Sequence, residues 1–322
     1  MRILSGVQSS GSLHLGNYYG ALRQFVQLQT EGEALYFIAN LHALTTVRNG
    51  ALARRLTLET ATAFLALGVD PHQSILFRQS DVPEIPELYW VLGTVVPKAH
   101  LERATSYKDK VAKGIPADFG LFAYPVLMAI DILLYDSDLV PVGKDQTQHL
   151  EFARDWAALF NQTYQAELFK LPQARIQEAT AVVPGIDGEK MSKSYDNTID
   201  LFGDLKQVEK RIKAIKTDST PPEAPKPVAG SPLHALLKLM APPDQWPELD
   251  RQWREGGAGL GYGHFKARLL DCYHTTFDGP RARYAELMAD PAQVERILRE
   301  GAERARALAA PVVARVRKAV GL

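Results

Sequence analysis

Three short stretches carry side chains suited to chemistry on a phosphorylated or aromatic ligand. The first is "SSGSLHLGNYYGA" (9–21), directly after the apolar run "RILSGV" (2–7). Ser10, Gly11 and Ser12 fit a tight turn, and a helix is expected to start near His14–Asn17. The free N–H groups and dipole of a helix start attract anions, phosphates above all. Gly16 has no Cβ, so a flat ring can lie against the backbone, and His14 and Asn17 add donors beside it. Taken alone, the same residues also make an ordinary helix start capped by Ser12. The second stretch, "GEKMSKS" (188–194), sets Lys190 and Lys193 on a Gly-flanked loop. Two ammonium groups there can neutralise charge developing on a leaving pyrophosphate, with loop closure timing the contact. Standing alone, it reads as a solvated Lys/Ser loop. The third feature is Asp131, inside the apolar run "FGLFAYPVLMAIDILLY" (119–135). Its helical neighbours are Leu127, Met128, Leu134 and Tyr135, and a buried unpaired carboxylate is very costly, so it needs a partner. Capping a neighbouring helix or pairing with an arginine would serve. Tyr124, Met128, Asp131 and Tyr135 recur at helical spacing as one stripe.

The surrounding pattern says what positions these residues. "RILSG" (2–6), "LYFIAN" (35–40) and "SILFRQS" (74–80) read as short buried strands. "GNYYGALRQFVQLQ" and "LARRLTLETATAFLALG" between them have helical spacing. Alternation at this pitch predicts a parallel sheet with right-handed crossovers, whose ligands bind beyond the C-terminal strand edge. Residues 6–17 fall at that edge. Further on come a buried helix (119–135), a strand (138–143) and another helix (145–161). From Asp204 onward only helical patterns remain, with Pro-rich "TPPEAPKP" (220–227) as a surface linker. The boundary is therefore set at 203.

The bulk numbers exclude several classes. At 322 residues and 46% hydrophobic the chain supports a sizeable core, and no apolar run approaches a membrane span. "MRILSGVQSS" turns polar too early for a signal peptide, and a cytoplasmic protein is expected. The single cysteine, Cys272, excludes an intrachain disulfide and a multi-Cys metal site. Net charge is zero, yet residues 1–203 carry 17 Lys+Arg against 22 Asp+Glu, and residues 204–322 carry 20 against 15. The positive C-terminal part permits nucleic-acid binding without demanding it.

"HLGN" near the N-terminus and "KMSKS" about 175 residues later, bracketing an α/β unit, resemble the two signatures of class I aminoacyl-tRNA synthetases. "SGVQSSGSLHLGNYYGALRQF", "YPVLMAIDILLYDSDLVPVGKDQTQHLEFARD", "EKMSKS" and "GYGHFK" (261–266) narrow the resemblance to bacterial-type tryptophanyl-tRNA synthetases, over nearly the whole chain. The resemblance implies a Rossmann-like doubly wound parallel sheet (1–203), with a dimerisation region around 82–120, followed by an α-helical tRNA/anticodon-binding domain (204–322). It implies L-tryptophan, ATP and tRNA(Trp) as ligands, Mg2+ carried with ATP, no dedicated metal site, and a homodimer. His14, Lys190 and Lys193 then take the catalytic roles. ATP falls to Gln8, Ser9, Ser10, Gly16, Asn17, the loop residues Lys190, Met191, Ser192, Lys193 and Ser194, Gly143, Lys144 and Asp145 at the ribose, and the Val182 backbone at adenine. For tryptophan, the resemblance makes Asp131 the acceptor of the indole N–H and gives Tyr124 and Gln146 the α-amino group. Leu4, Gly6, Gln8, Met128, Val140 and Val142 complete that pocket.

The chain departs from the family pattern at several positions. Ser9 stands where proline is common, Leu4 where an aromatic is common, and Asn17 where many relatives have a second histidine. Ala104 and Ser106 replace the usual Met and Gln. With Leu4 facing the indole, a roomier pocket tolerant of ring-substituted tryptophan is expected. A tyrosyl-tRNA synthetase-like enzyme is the nearest alternative. A non-aminoacylating tRNA-binding or regulatory paralogue is another, but both signature lysines are present. A small-molecule nucleotidyltransferase would leave Asp131 and the helical part unexplained.

Overall fold

A computed structural model describes residues 1–104, 107–108, 114, 118–143, 147–176, 182–257 and 259–322. Among the described residues, five parallel strands form one sheet in the order β3-β2-β1-β4-β5. They are β1 (Arg2–Val7), β2 (Glu33–Ile38), β3 (Ser74–Arg78), β4 (Leu139–Val142) and β5 (Gln173–Ile176). Arg2 lies opposite Glu33 and Val7 opposite Ile38, while Ile3 meets Leu139 on the other side. The strand order reverses between β1 and β4, which opens a crevice at their C-terminal ends. Strand β5 escaped the sequence pattern: four residues at a sheet edge, with Gln173 and Arg175 exposed, leave little apolar signal.

The pleat sends alternate residues into two cores. Leu35 and Phe37 of β2 join Leu4, Ile75, Phe77 and Val140, under the helices Glu84–Gly93, Phe119–Leu133 and Thr147–Thr163. Ala34, Tyr36 and Ile38 face the other way, where Phe25 stacks on Tyr36 at 4.8 Å. That second core continues through the helices Gly50–Ala66, Leu205–Lys213, Pro232–Met240 and Tyr262–Ala289.

After residue 203 no strand occurs among the described residues, as the pattern predicts, but both cores run across that position. The cause is the last helix, Pro291–Val320, which returns to the sheet. Val294 and Leu298 enter the second core, and Ala302, Ala305, Ala309 and Val312 enter the first. The helix covers β3, an edge strand whose backbone would otherwise stay open to pairing. Arg304 donates to the Pro71 and Ser74 carbonyls at 2.9 and 3.1 Å, and Arg306 pairs with Glu84 at 2.7 Å. Arg315 donates to Asp136 at 2.8 Å and to the Leu168 carbonyl at 2.6 Å. Part of the C-terminal positive charge is thus spent inside the molecule.

Gly301 makes the close approach possible, since a Cβ there would lie 1.9 Å from the Leu76 carbonyl oxygen. Helix propensity alone predicts that Gly301→Ala stabilises by about 0.8–1 kcal/mol. The overlap with a backbone atom reverses the sign, and we expect a net loss of roughly 1–3 kcal/mol in urea unfolding.

The Pro-rich 220–227 segment is largely exposed but anchored. Buried Lys226 donates to the Pro222 and Ala224 carbonyls at 3.1 and 3.3 Å and lies 5.7 Å from the Tyr262 and Phe265 ring centres.

Candidate active site

The first helix starts at Leu15 and passes through a π-helical turn (Tyr18–Leu22) into Arg23–Leu28. Its cap differs from the expected Ser12. The Asn17 Oδ1 accepts from the His14 N–H at 3.1 Å, so Asn17 closes the turn on itself. The Ser12 hydroxyl instead lies on the Asp200 side, where it favours the charged carboxylate. Around this turn the backbone is clamped by the segment after the lysine loop. Leu15 N–H donates to the Ile199 carbonyl and Leu201 N–H to the Leu13 carbonyl, both at 2.9 Å.

The lysine loop docks directly on the same turn. Residues 183–191 form a narrow hairpin, with Met191 N–H on the Val183 carbonyl at 2.9 Å and Gly185 N–H on Glu189 at 2.7 Å. The buried Met191 Sδ accepts from the Gly16 N–H at 3.2 Å. A Cβ on Gly16 would fall 2.9 Å from the His14 ring and 3.3 Å from Met191 Cβ. Gly16 is therefore required by this docking, quite apart from any ligand ring. The Lys193 Nζ sits over Gly11, 2.9 Å from where a Cβ would stand. Burial of that end lowers the Lys193 pKa, and the Asp200 charge opposes the shift. Lys190 and Ser194 are exposed on the loop, and Ser192 Oγ accepts from Ser194 N–H at 3.3 Å.

His14 is 5% exposed, and its Nδ1 has no hydrogen-bond partner among the described residues. Burial, and then the Lys193 charge, lower its pKa to about 4. It is a neutral donor near pH 7, not a cation. The unfolded chain takes up this proton near pH 6.5, the folded chain only near 4. Stability from His14 is therefore complete above about pH 6.5 and is lost as pH falls towards 4. We expect the Tm of the wild type to fall more steeply than that of His14→Gln between pH 7 and pH 4.5 in calorimetry.

Ser9 is a correction. It is fully buried, and its hydroxyl shares a 3.2 Å hydrogen bond with Thr57, so it faces the protein interior and not the crevice. Gln8 and Ser10 are exposed beside it, and Gln8 Nε2 donates to the His42 carbonyl at 3.2 Å.

Beside this turn lies a cavity of about 310 Å³, within the range of small-molecule sites. Gly6 and Phe37 form its sheet wall, and Tyr124, Met128 and Asp131 its helix wall. A Cβ on Gly6 would overlap the Phe37 ring at 2.4 Å, so the glycine lets that ring cross the end of β1. Leu4 and Val140 do not border the cavity. They lie one pleat deeper, 1% and 5% exposed, in the core beneath it. Tyr135, on the predicted stripe, is likewise in the core.

Asp131 is 2% exposed, and both partners that hold it escaped the sequence reading. Gln79 Nε2 donates to its two oxygens at 2.8 and 2.9 Å, and His42 Nε2 lies 2.8 Å from Oδ2. Leu41 N–H occupies the Gln79 Oε1 at 3.0 Å, which fixes the amide with its NH2 toward the carboxylate. Burial raises the Asp131 pKa, while His42 and Gln79 favour the charged form. These partners lie 89 and 52 residues away, and no local signal marks either. Tyr124 Oη is 3.2 Å from His149 Nε2, another cavity residue that the sequence did not single out.

Val182 is exposed at the base of the hairpin, and Gly143 follows β4. Lys144, Asp145, Gln146, Ser106 and the side chain of Val142 lie outside the described residues. Ala104 is fully buried.

A family model described as tRNA synthetases class I (W and Y) matches residues 1–230. That span takes in the sheet, the Gly16 turn and the lysine loop, and the chain belongs to the class I aminoacyl-tRNA synthetases. Its full-length relatives assign it, within that class, to the tryptophan–tRNA ligases. The tryptophan–tRNA ligase of Rhodopirellula baltica is 49% identical over 322 residues, and that of Campylobacter jejuni (strain RM1221) 47%, each covering both chains completely. The crystal structure of the Campylobacter jejuni tryptophanyl-tRNA synthetase complexed with ADP and tryptophan superposes with a TM-score of 0.93, at 47% identity and full coverage of both chains.

Proposed function

We propose that the chain activates L-tryptophan with ATP and transfers it to tRNA(Trp), using the crevice between the Gly16 turn and the lysine loop for ATP. The observation that carries this reading is Asp131, a carboxylate fixed by Gln79 and His42 at the wall of an aromatic-sized cavity. Among the described residues its Oδ1 accepts from Gln79 alone, which leaves one lone pair for an indole N–H. In the first step the tryptophan carboxylate attacks the α-phosphorus and pyrophosphate leaves, giving the adenylate. No enzyme nucleophile takes part. Neutral His14 donates a hydrogen bond to phosphate, and Lys190 and Lys193 stabilise the charge that accumulates on pyrophosphate. In the second step a terminal ribose hydroxyl of tRNA takes the acyl group and AMP leaves.

Gln8, Ser10, Gly16, Asn17, Met191, Ser192 and Ser194 are assigned to the ATP side, with Gly143, Lys144 and Asp145 at the ribose and Val182 at adenine. Tyr124, Met128, Gly6 and Gln146 are assigned to tryptophan. Mg2+ enters with the nucleotide, held by its phosphates. The expectation of ring-substituted substrates rested on Leu4 facing the indole, and Leu4 lies beneath the cavity floor, so its premise is missing.

We place the enzyme in the cytoplasm as a homodimer, with tRNA on the 204–322 part. Trp90 and Phe119 are each 72% exposed, and a second apolar cavity of about 350 Å³ is bordered by Leu44, Tyr89 and Leu127. An apolar surface of this kind suits a second copy. No helix of the described residues is long and apolar enough to cross a membrane.

The test is tryptophan-dependent ATP–pyrophosphate exchange beside tyrosine, followed by charging of tRNA with a CCA anticodon. We expect exchange with tryptophan and charging of that tRNA. Exchange with tyrosine alone, or none with tryptophan, would overturn the reading.

A further inference from the structure

The hairpin before the lysine loop and the segment after it are tied together by one side chain, Asn197, which is 1% exposed. Its Oδ1 accepts from the Ser192 N–H at 2.7 Å. Its Nδ2 donates to the Lys190 carbonyl at 3.1 Å and to Asp187 Oδ1 at 2.8 Å. The Asn197 carbonyl also accepts from the Ile186 N–H at 3.0 Å. The backbone groups on either side of Met191 therefore end on a single amide, and Met191 is the residue that meets the Gly16 N–H. A Cβ on Gly185 would fall 2.3 Å from that amide, so the preceding limb passes flush against it. Asp187 closes the arrangement by accepting from the Glu189 N–H at 3.0 Å.

We propose that Asn197 is a positioning residue for adenylate formation. It sets the register of Lys190 and Lys193 against the Gly16 turn by holding the backbone on both sides of Met191. This rests on the amino-acid activation described above and extends it to a residue that touches no substrate. The amide is needed in both senses, as one acceptor and two donors. Aspartate has the same shape and keeps the acceptor for Ser192. It also turns an oxygen toward the Lys190 carbonyl and Asp187, where both donors are lost. Lysines displaced by a fraction of an ångström lose much of their effect on the reaction, because the geometry must be ready before the charge develops.

The test is Asn197→Asp in ATP–pyrophosphate exchange, with tryptophan affinity measured separately by titration calorimetry. We expect kcat to fall at least tenfold, with the Kd for tryptophan within twofold of wild type, because the Asp131 cavity shares none of these bonds. Asp187→Ala removes one partner at an exposed site, and a fall of twofold or more is expected even if Asn197→Asp does not fold. The assignment is overturned if kcat of Asn197→Asp stays within threefold of wild type, or tryptophan affinity drops in step with kcat. Asp187→Ala at the wild-type rate would also overturn it. A wild-type enzyme without tryptophan-dependent exchange would instead remove the activation reading itself.

Discussion

Asp131→Asn should lower kcat/KM for tryptophan in ATP–pyrophosphate exchange by about 10- to 150-fold, the worth of one hydrogen bond to a charged acceptor. Gln79 cannot turn its amide, because Leu41 N–H holds its Oε1. An asparagine must therefore show its oxygen to Gln79 and its NH2 toward His42, which forces the His42 proton onto Nδ1. The indole N–H then meets a neutral amide oxygen in place of a carboxylate oxygen, and the charge-assisted strength of that bond is lost. Asp131→Ala goes further, since it strands the Gln79 and His42 donors as well as the indole N–H. We expect a loss of about 10³-fold or more, and a collapse of discrimination against phenylalanine. Asp131→Asn at a rate within threefold of wild type would mean that the indole is recognised elsewhere.

Lys193→Ala should lower kcat of adenylate formation by about 10²–10³-fold while leaving the Kd for tryptophan within twofold. The lysine end lies over Gly11, at the start of the turn that carries His14, and the loop is docked through Met191 on Gly16. Its charge is thus placed before the reaction, and little reorganisation is needed when the pyrophosphate bond breaks. The same contact can be attacked from the other side. A methyl group on Gly11 would meet Lys193 Nζ at 2.9 Å and Cδ at 3.1 Å, so Gly11→Ala should displace the ammonium and cost kcat about tenfold. Single-turnover rates distinguish this from slow product release. Equal losses in kcat and in tryptophan affinity would indicate general damage instead.

The strands β1 to β4, the helix after the first turn and the all-helical C-terminal part were legible because apolar periodicities of 2 and 3.6 are local properties. "HLGN" and "KMSKS" were legible as a pair through their order and separation, and the docking of Met191 on Gly16 is the contact between them. Legibility ended where a residue's role depends on what another segment brings to it. Ser9, which looked like a crevice residue, pairs with Thr57 because the Gly50–Ala66 helix crosses beneath the turn. Leu4 looked like a pocket residue, but the pleat places it beneath Gly6, and Phe37 of the neighbouring strand supplies the aromatic wall.

The same division holds for charge. The positive balance after residue 204 could be counted, yet Arg304, Arg306 and Arg315 are committed to carbonyls and carboxylates of the sheet half. From its sequence alone this protein was determined to be an α/β nucleotide-site protein with a helical C-terminal part and a carboxylate that needs a partner. Tertiary structure alone decided that His42 and Gln79 are those partners, that the last helix closes the β3 edge through Gly301, and that Asn197 holds the lysine loop. A periodic pattern is set by neighbours along the chain. The satisfaction of a buried charge or an open strand edge is set by whichever distant segment folding brings within about 3 Å.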